Sequence, residues 1–397
     1  MTISEILENE TTRNQLFPVT QDRTFMAHAG VTALPATAGE ALTRYAHEGC
    51  RQQQEHAGVW REMTETRQEA AKLLEASPDE IALLGPTALG LNLVANGINW
   101  NKGDQVIFYQ DDYPANVYPW LKLSRLGVEP VALEPEQTGV ITWDVLQEKL
   151  TDRTRLVSLA SASFLSGYRI DIETIGRKLK ETHPHILLCI DGIQTLGAFK
   201  TTVEYVDFLS ADSHKWLLGP MGAGIFYVKE SNFKLLEPTL LGSWNVVSPQ
   251  FIAQESIDFY PGGRRYEPGS LNLPGNSAML ASMKFLNALG TEALSTRIRQ
   301  LGESIIAKMN AIGFQRYIDF ALQEDQGHET TCGIYTFCHP QIDTPSMESI
   351  FKKLQAEHID ISLRYNRKNT ALFRISPHFY NTEEEIEKVV ACIQKAL

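Results

Sequence analysis

No apolar run in this chain approaches the roughly 20 residues that a helix needs to cross a bilayer, so no membrane span is expected. Positive charge is in deficit, with a formal net charge of −12. Nucleic-acid binders neutralise phosphates with a basic patch, and none stands out here, which excludes that class of partner. Cysteine is scarce: five in 397 residues, scattered and odd in number. That pattern fits reduced thiols and not a disulfide framework. The acidic amino end, from Met1 to Glu10, lacks a basic segment followed by an apolar one, so a secretory leader is not expected. Together these features point to a cytoplasmic protein. His183 and His185 have no cysteine or acid at ligand spacing, so no metal site is expected either. Internal repeats and low-complexity segments are absent.

What is present reads as an ordinary soluble globular protein, 43% hydrophobic and 21% charged. A chain of 397 residues exceeds the size at which one core usually keeps growing, so two domains are expected. From Ile81 to Val228, short apolar runs alternate with amphipathic stretches such as Ile170–Lys180. Seven such runs predict strands at Ile81–Leu84, Gln105–Tyr109, Glu129–Leu133, Leu156–Ala160, Ile186–Ile190, Asp207–Leu209 and Ile225–Val228. Alternation of this kind predicts an α/β fold, with a mostly parallel seven-stranded sheet between helices. Beyond Pro261-Gly-Gly263 the pattern changes. It predicts a long helical segment from about Asn276 to Ile312, a strand at Gly333–Phe337, a helix at Met347–Ala356, strands at Ile359–Leu363 and Leu372–Ile375, and a closing helix from Thr382. The expected division is an amino-terminal arm (1–24), a large domain (25–262) and a smaller α+β domain (263–397).

Lys215 is badly placed for a solvated charge, lying beside His214 and a glycine-rich turn between two predicted strands. Partial burial and cationic neighbours lower an amine's pKa, so this lysine is suited to attack a carbonyl. Upstream, Asp191 ends the apolar run Ile186–Ile190. A lysine able to form a Schiff base, with an acid to keep a pyridine nitrogen protonated, is the pair that pyridoxal phosphate (PLP) requires.

Several ordered motifs surround this pair: His28-Ala-Gly30, Asp112-Tyr-Pro-Ala-Asn-Val-Tyr-Pro-Trp120, Ser166-Gly167, Asp191-Gly-Ile-Gln194, Arg265-Tyr-Glu-Pro-Gly-Ser-Leu-Asn272 and Arg374-Ile-Ser-Pro-His-Phe-Tyr-Asn381. From about Phe25 onward the chain resembles fold-type I PLP-dependent enzymes of the class V aminotransferase and cysteine desulfurase group. The resemblance implies the PLP-transferase fold and a homodimer with active sites at the subunit interface. It also implies a small amino acid as substrate.

Residue by residue, the resemblance makes Lys215 the cofactor lysine and Asp191 the partner of the ring nitrogen. Tyr113 becomes the aromatic that stacks on the ring, a position where desulfurases carry a proton-shuttling histidine. Gln194 is expected to hydrogen-bond the phenolic oxygen. Thr87 and Ala88, at a helix start, would cradle the phosphate with His214. Ser270 would reach the neighbouring subunit's phosphate. Asp212 stands where relatives often carry a phosphate-binding serine, so Ser213 or Ser210 would take that role, or Asp212 would turn away. Arg374 is expected to grip the substrate's carboxylate through its planar fork, the alternative being a salt bridge to Glu383, Glu384 or Glu385. His28 could line the substrate pocket, and Asn116 reads as a turn residue. Arg364 and Arg367 could recognise a second acidic group.

The reaction is less constrained than the cofactor. Desulfurases take up sulfur on a loop cysteine before the carboxylate-binding arginine, and Ser362–Phe373 contains none. The segment Phe164–Asp171 and Tyr113 resemble the kynureninase-like and epimerase-like branches more closely, and cystine or cysteine β-lyases also lack the loop cysteine. The expected activity is a carbon–sulfur β-lyase without its own persulfide cysteine. Aminotransferase and epimerase chemistry are the alternatives, and a catalytically silent binding protein is the reading from another class.

Overall fold

A computed structural model describes residues 1–320 and 328–397. Seven strands form the large sheet: β1 (Ile81–Leu84), β2 (Gln105–Tyr109), β3 (Glu129–Leu133), β4 (Thr154–Ala160), β5 (Leu187–Asp191), β6 (Phe208–Asp212) and β7 (Gly224–Val228). Their spatial order is β1-β7-β6-β5-β4-β2-β3. Only β7 runs antiparallel to its neighbours, between β6 and β1. The expected mostly parallel seven-stranded sheet is therefore the one observed, with β1, β2 and β3 at the expected bounds and ends of the other four shifted by one to three residues. Strands β1, β2, β5, β6 and β7 are buried along their whole length, which is why they read as continuous apolar runs and not as alternating ones.

A four-stranded antiparallel sheet carries the smaller layer: β8 (Gln315–Arg316), β9 (Tyr335–Cys338), β10 (Ser362–Tyr365) and β11 (Ala371–Ile375), in the order β10-β11-β9-β8. The closing helix Glu383–Ala396 begins at a capping box, in which Thr382 and Glu385 satisfy each other's backbone amides. The long helical segment expected from Asn276 to Ile312 is two helices, Leu273–Leu289 and Thr291–Ala311. Gly290 separates them at φ +82°, a left-handed conformation that breaks the helical path. The first of the two packs on helices Ala36–Gly49 and Ala57–Leu74, so the apolar core under the large sheet continues through Leu286.

The amino-terminal residues cross to the smaller layer. Arg13 pairs with Glu385 at 3.0 Å, Phe17 stacks on Tyr380, and Thr24–Phe25 pairs in parallel with Ile359–Asp360. The next turn, Ala27–Val31, is thereby held against the end of β11, where Ala27 bridges Ser376. Among the described residues, no helix is long and apolar enough to cross a membrane.

Candidate active site

A cavity of about 620 Å³ opens at the carboxyl ends of the parallel strands, the place where open α/β sheets bind ligands. It gathers Thr87, Ala88, Tyr113, Asp191, Gln194, His214, Lys215 and Arg374 from segments far apart in sequence.

Its first wall is a helix start. Helix Thr87–Gly97 follows β1 through Gly85 and Pro86, and no side chain caps it, so its first amides are free for an anion. Gly90 lets this helix sit close on β6; a Cβ there would lie 2.4 Å from Ser210 Oγ. The Asp212 amide donates to Thr87 Oγ1 at 2.9 Å, which leaves the threonine hydroxyl hydrogen for another acceptor.

Lys215 follows β6 and is only 7% exposed. Its amine has no hydrogen bond or ion pair among the described residues and lies 5.4 Å from the centre of the Tyr113 ring. Burial lowers its pKa to about 8, against the opposing pull of Asp191, and the guanidinium groups of Arg374 and Arg364 lower it further. Asp191 ends β5 and accepts a hydrogen bond from the Ile193 amide. Burial raises its carboxyl pKa, while Lys215 acts the other way.

Arg374, on β11, is 1% exposed. Nη1 donates to the Phe164 carbonyl at 2.7 Å and Nη2 to Ser362 Oγ at 3.3 Å, while buried Nε finds no partner. No carboxylate pairs with it among the described residues. The alternative salt bridge to Glu383, Glu384 or Glu385 is not formed; Glu385 pairs with Arg13 and Glu383 accepts from Ser304 instead. Burial and the neighbouring Arg364 pull its pKa down to about 9, the signature of a guanidinium that lacks its anion.

Tyr113 is 51% exposed and meets Phe164 edge to face across the cavity mouth. Gln194 is buried and fixed at both ends, with Nε2 donating to the Ala29 carbonyl and Oε1 accepting from Trp216 Nε1. Asn116 is a structural residue, as expected for a turn: Oδ1 accepts from Trp120 Nε1 and Ser158 Oγ, and Nδ2 donates to Asp112.

Two expectations fail. His28 does not line the cavity. It is fully buried, with Nδ1 on the Ser376 carbonyl and Nε2 on the Tyr380 hydroxyl, so packing claims both ring nitrogens. Ser213 does not face the cavity either: its hydroxyl donates to the Pro220 carbonyl, and Ser210 is likewise taken, donating to the Thr87 carbonyl. Asp212 has turned away, its carboxylate accepting from the Ser213 and Gly222 amides. One oxygen also lies 3.2 Å from His214 Nδ1, within ion-pair reach but off the line of a hydrogen bond. Ser270 is exposed and lies outside this cavity.

Arg364 does line the cavity, and among the described residues its one side-chain hydrogen bond is to the carbonyl of adjacent Leu363. Arg367 does not line it, being paired with Asp111. Ser362 and Phe164 also line the cavity, and their signal was absent from the sequence because both act through Arg374, across strands and loops paired only in three dimensions.

The donor set suits a flat heterocycle bearing a phosphate, a carbonyl and a basic ring nitrogen. Among the described residues, an uncapped helix start, an unpartnered buried amine and a buried carboxylate answer those three groups in turn, and Arg374 with its orphaned Nε is left for a carboxylate. A protein-family model of class-V aminotransferases matches residues 26–389. A "probable cysteine desulfurase" of Methanothermobacter thermautotrophicus is 26% identical over 387 residues, covering 93% of this chain and 94% of that protein. Among solved structures, the cystine C-S lyase C-DES in complex with its product cysteine persulfide is similar at TM-score 0.84 and 21% identity, covering 95% of this chain and 99% of that one. A C-DES mutant with glycine covalently linked to its PLP cofactor is similar at TM-score 0.82 and 21% identity, covering 96% and 98%. With Lys215, Asp191 and the start of helix Thr87–Gly97 lining one cavity, the chain belongs to the class-V aminotransferase family and is a PLP-dependent enzyme.

Proposed function

We propose that this enzyme cleaves a carbon–sulfur bond in a cysteine- or cystine-type amino acid and acts as a β-lyase without a persulfide cysteine of its own. One observation carries the reading: among the described residues, the cavity wall holds two guanidinium groups without acidic partners, Arg374 and Arg364, and no cysteine. Cys189 and Cys332 are buried in the cores, and Cys50, Cys338 and Cys392 also stand off the wall. The desulfurase and lyase names of the relatives support a sulfur-containing substrate.

Each side chain has a task under this reading. Arg374 binds the substrate's α-carboxylate, which fixes the α-carbon. Arg364, on the same wall, suits the distal carboxylate of a disulfide amino acid. PLP, when bound, supplies the electron sink that stabilises negative charge at the α-carbon. Asp191 holds the proton on the ring nitrogen, Thr87, Ala88 and His214 hold the phosphate, and Tyr113 offers its ring face. Lys215 holds the cofactor in the resting enzyme and then takes the α-proton on Nζ; a pKa of about 8 leaves part of it neutral near pH 7. The sulfur leaves from the β-carbon, with no cysteine on the wall to capture it.

The proposed assembly is a homodimer. Ser270 stands outside this chain's own cavity, and Leu241, Phe251, Ile252 and Ile257 are exposed on the segment that precedes it. Sedimentation of the purified protein tests this, and a monomer with full activity would refute it.

Incubation of the holoenzyme with cystine, cysteine and kynurenine in the absence of any keto acid tests the reaction. Pyruvate and ammonia from cystine are expected. Alanine with enzyme-bound sulfur would replace the reading with a desulfurase, and strict dependence on a keto-acid acceptor would replace it with an aminotransferase.

A further inference from the structure

Trp216 is fully buried and does not touch the cavity, yet it determines which face Gln194 presents there. An indole nitrogen only donates and a backbone carbonyl only accepts. Trp216 Nε1 donates to Gln194 at 3.1 Å, so that amide atom must be oxygen; the other donates to the Ala29 carbonyl at 3.3 Å, so it must be nitrogen. The amide cannot flip without breaking both bonds. Its remaining N–H is then the group available at the cavity wall, and Gln194 can serve an oxyanion there only as a donor.

The contact belongs to a closed circuit of buried bonds. The Ala29 amide donates to Ser376 Oγ at 3.1 Å, two residues beyond Arg374. His378 accepts the Phe379 amide on Nδ1, so Nε2 carries the proton and donates to the Trp216 carbonyl at 3.2 Å. The loop Ser376–Ala29–Gln194–Trp216–His378 therefore ties the strand that bears the carboxylate-binding arginine to the residue following Lys215. All five residues are at most 3% exposed.

We propose that Trp216 is a positioning residue that holds Gln194 as a hydrogen-bond donor toward the anionic oxygen of the bound cofactor, within a circuit reaching the Arg374 strand. The proposal rests on Gln194 contacting the cofactor. A donor beside an oxyanion favours the charged form, so losing it raises the pH midpoint of that oxygen's titration. The titratable and charged groups near the circuit are His28, His378 and Tyr380 behind Trp216, with Asp191, Lys215, His214, Tyr113, Arg364 and Arg374 on the cavity side.

The test is the pH midpoint of the cofactor's visible absorption in the holoenzyme, measured for Trp216→Phe, Gln194→Ala and the double variant. Each single variant is expected to raise the midpoint by about one unit, the size a single hydrogen bond to one protonation state supplies. The double variant should shift no further, because both changes remove one donor. Replacement of Trp216 by benzothienylalanine, which keeps the shape and lacks the N–H, separates this effect from loss of packing and should reproduce it. A shift in Gln194→Ala alone, with both Trp216 replacements unchanged, overturns the positioning role and leaves the Gln194 contact intact. No shift in any variant that retains cofactor overturns the Gln194 contact and the proposal together.

Discussion

Arg374→Met should make the substrate-free protein more stable and the enzyme far worse. The buried guanidinium has its pKa pulled from 12.5 down to about 9. At about 1.4 kcal/mol per unit, holding that charge costs the fold about 5 kcal/mol. The sign follows from the depressed value: below pH 9 the folded form carries the charge and the cost is present in full. Methionine removes it, at the expense of the bonds to the Phe164 carbonyl and Ser362 Oγ. Those losses, including one carbonyl left unpaired, offset about 2–4 kcal/mol. A net gain of about 1–3 kcal/mol remains, seen as a melting temperature raised by a few degrees at pH 7. Substrate binding should weaken at least 100-fold, since two charge-assisted bonds to a carboxylate contribute about 3–6 kcal/mol. Thermal unfolding and amino-acid titration of the holoenzyme read both effects. A variant less stable than the parent, with undiminished substrate affinity, would refute the reasoning, because Arg374 would then be an ordinary core residue.

Other predictions concern the remaining groups. Lys215→Ala should abolish trapping of the cofactor on the chain by borohydride, detected by intact mass; an unchanged adduct would reassign the lysine. The rate at which apoprotein takes up PLP should rise with pH and level off above about 8, where the amine is neutral. In Asp191→Asn that midpoint should fall, because Asp191 supports the charged amine, and turnover should drop by orders of magnitude; an unmoved midpoint with normal rates counts against the assignment. His378 is held neutral, with burial pulling its pKa down to about 4 from 6.5. Its contribution to stability is intact above about pH 6.5 and is lost as pH falls toward 4, by about 3 kcal/mol. Urea midpoints at pH 7 and pH 4.5 should show that loss in the parent and a smaller one in His378→Gln. Gly90→Ala would push a Cβ into Ser210 and Phe226, displacing the helix that starts at Thr87; a weaker cofactor affinity is expected, and an unchanged one would mean that the helix start does not hold phosphate.

The layered architecture was legible in the chain because strands buried on both faces must be apolar throughout. Asp191 and Lys215 were legible because a charged residue at the end of such a run has few structural reasons to be there. Strand ends were less sharp: β6 runs on to Asp212, past the last strongly apolar residue. The break at Gly290 was hidden in a helical pattern that continues on both sides of it.

Sequence alone determined the family and singled out Lys215 and Asp191 as its candidates for holding the cofactor, since these lie in ordered local motifs whose chemistry needs particular side chains at particular strand ends. Tertiary structure alone decided the fate of the polar residues that could go either way. His28 and Ser213 are absorbed by packing, Asp212 turns to backbone amides, and Arg374 is left without an anion. The physical reason is that a polar group's role depends on whether its hydrogen-bonding capacity is already taken. For His28 and Arg374 the partners lie hundreds of positions away, as Tyr380 does from His28 and Phe164 from Arg374, whereas Ser213 and Asp212 are claimed within ten residues by a turn whose path the folded sheet sets.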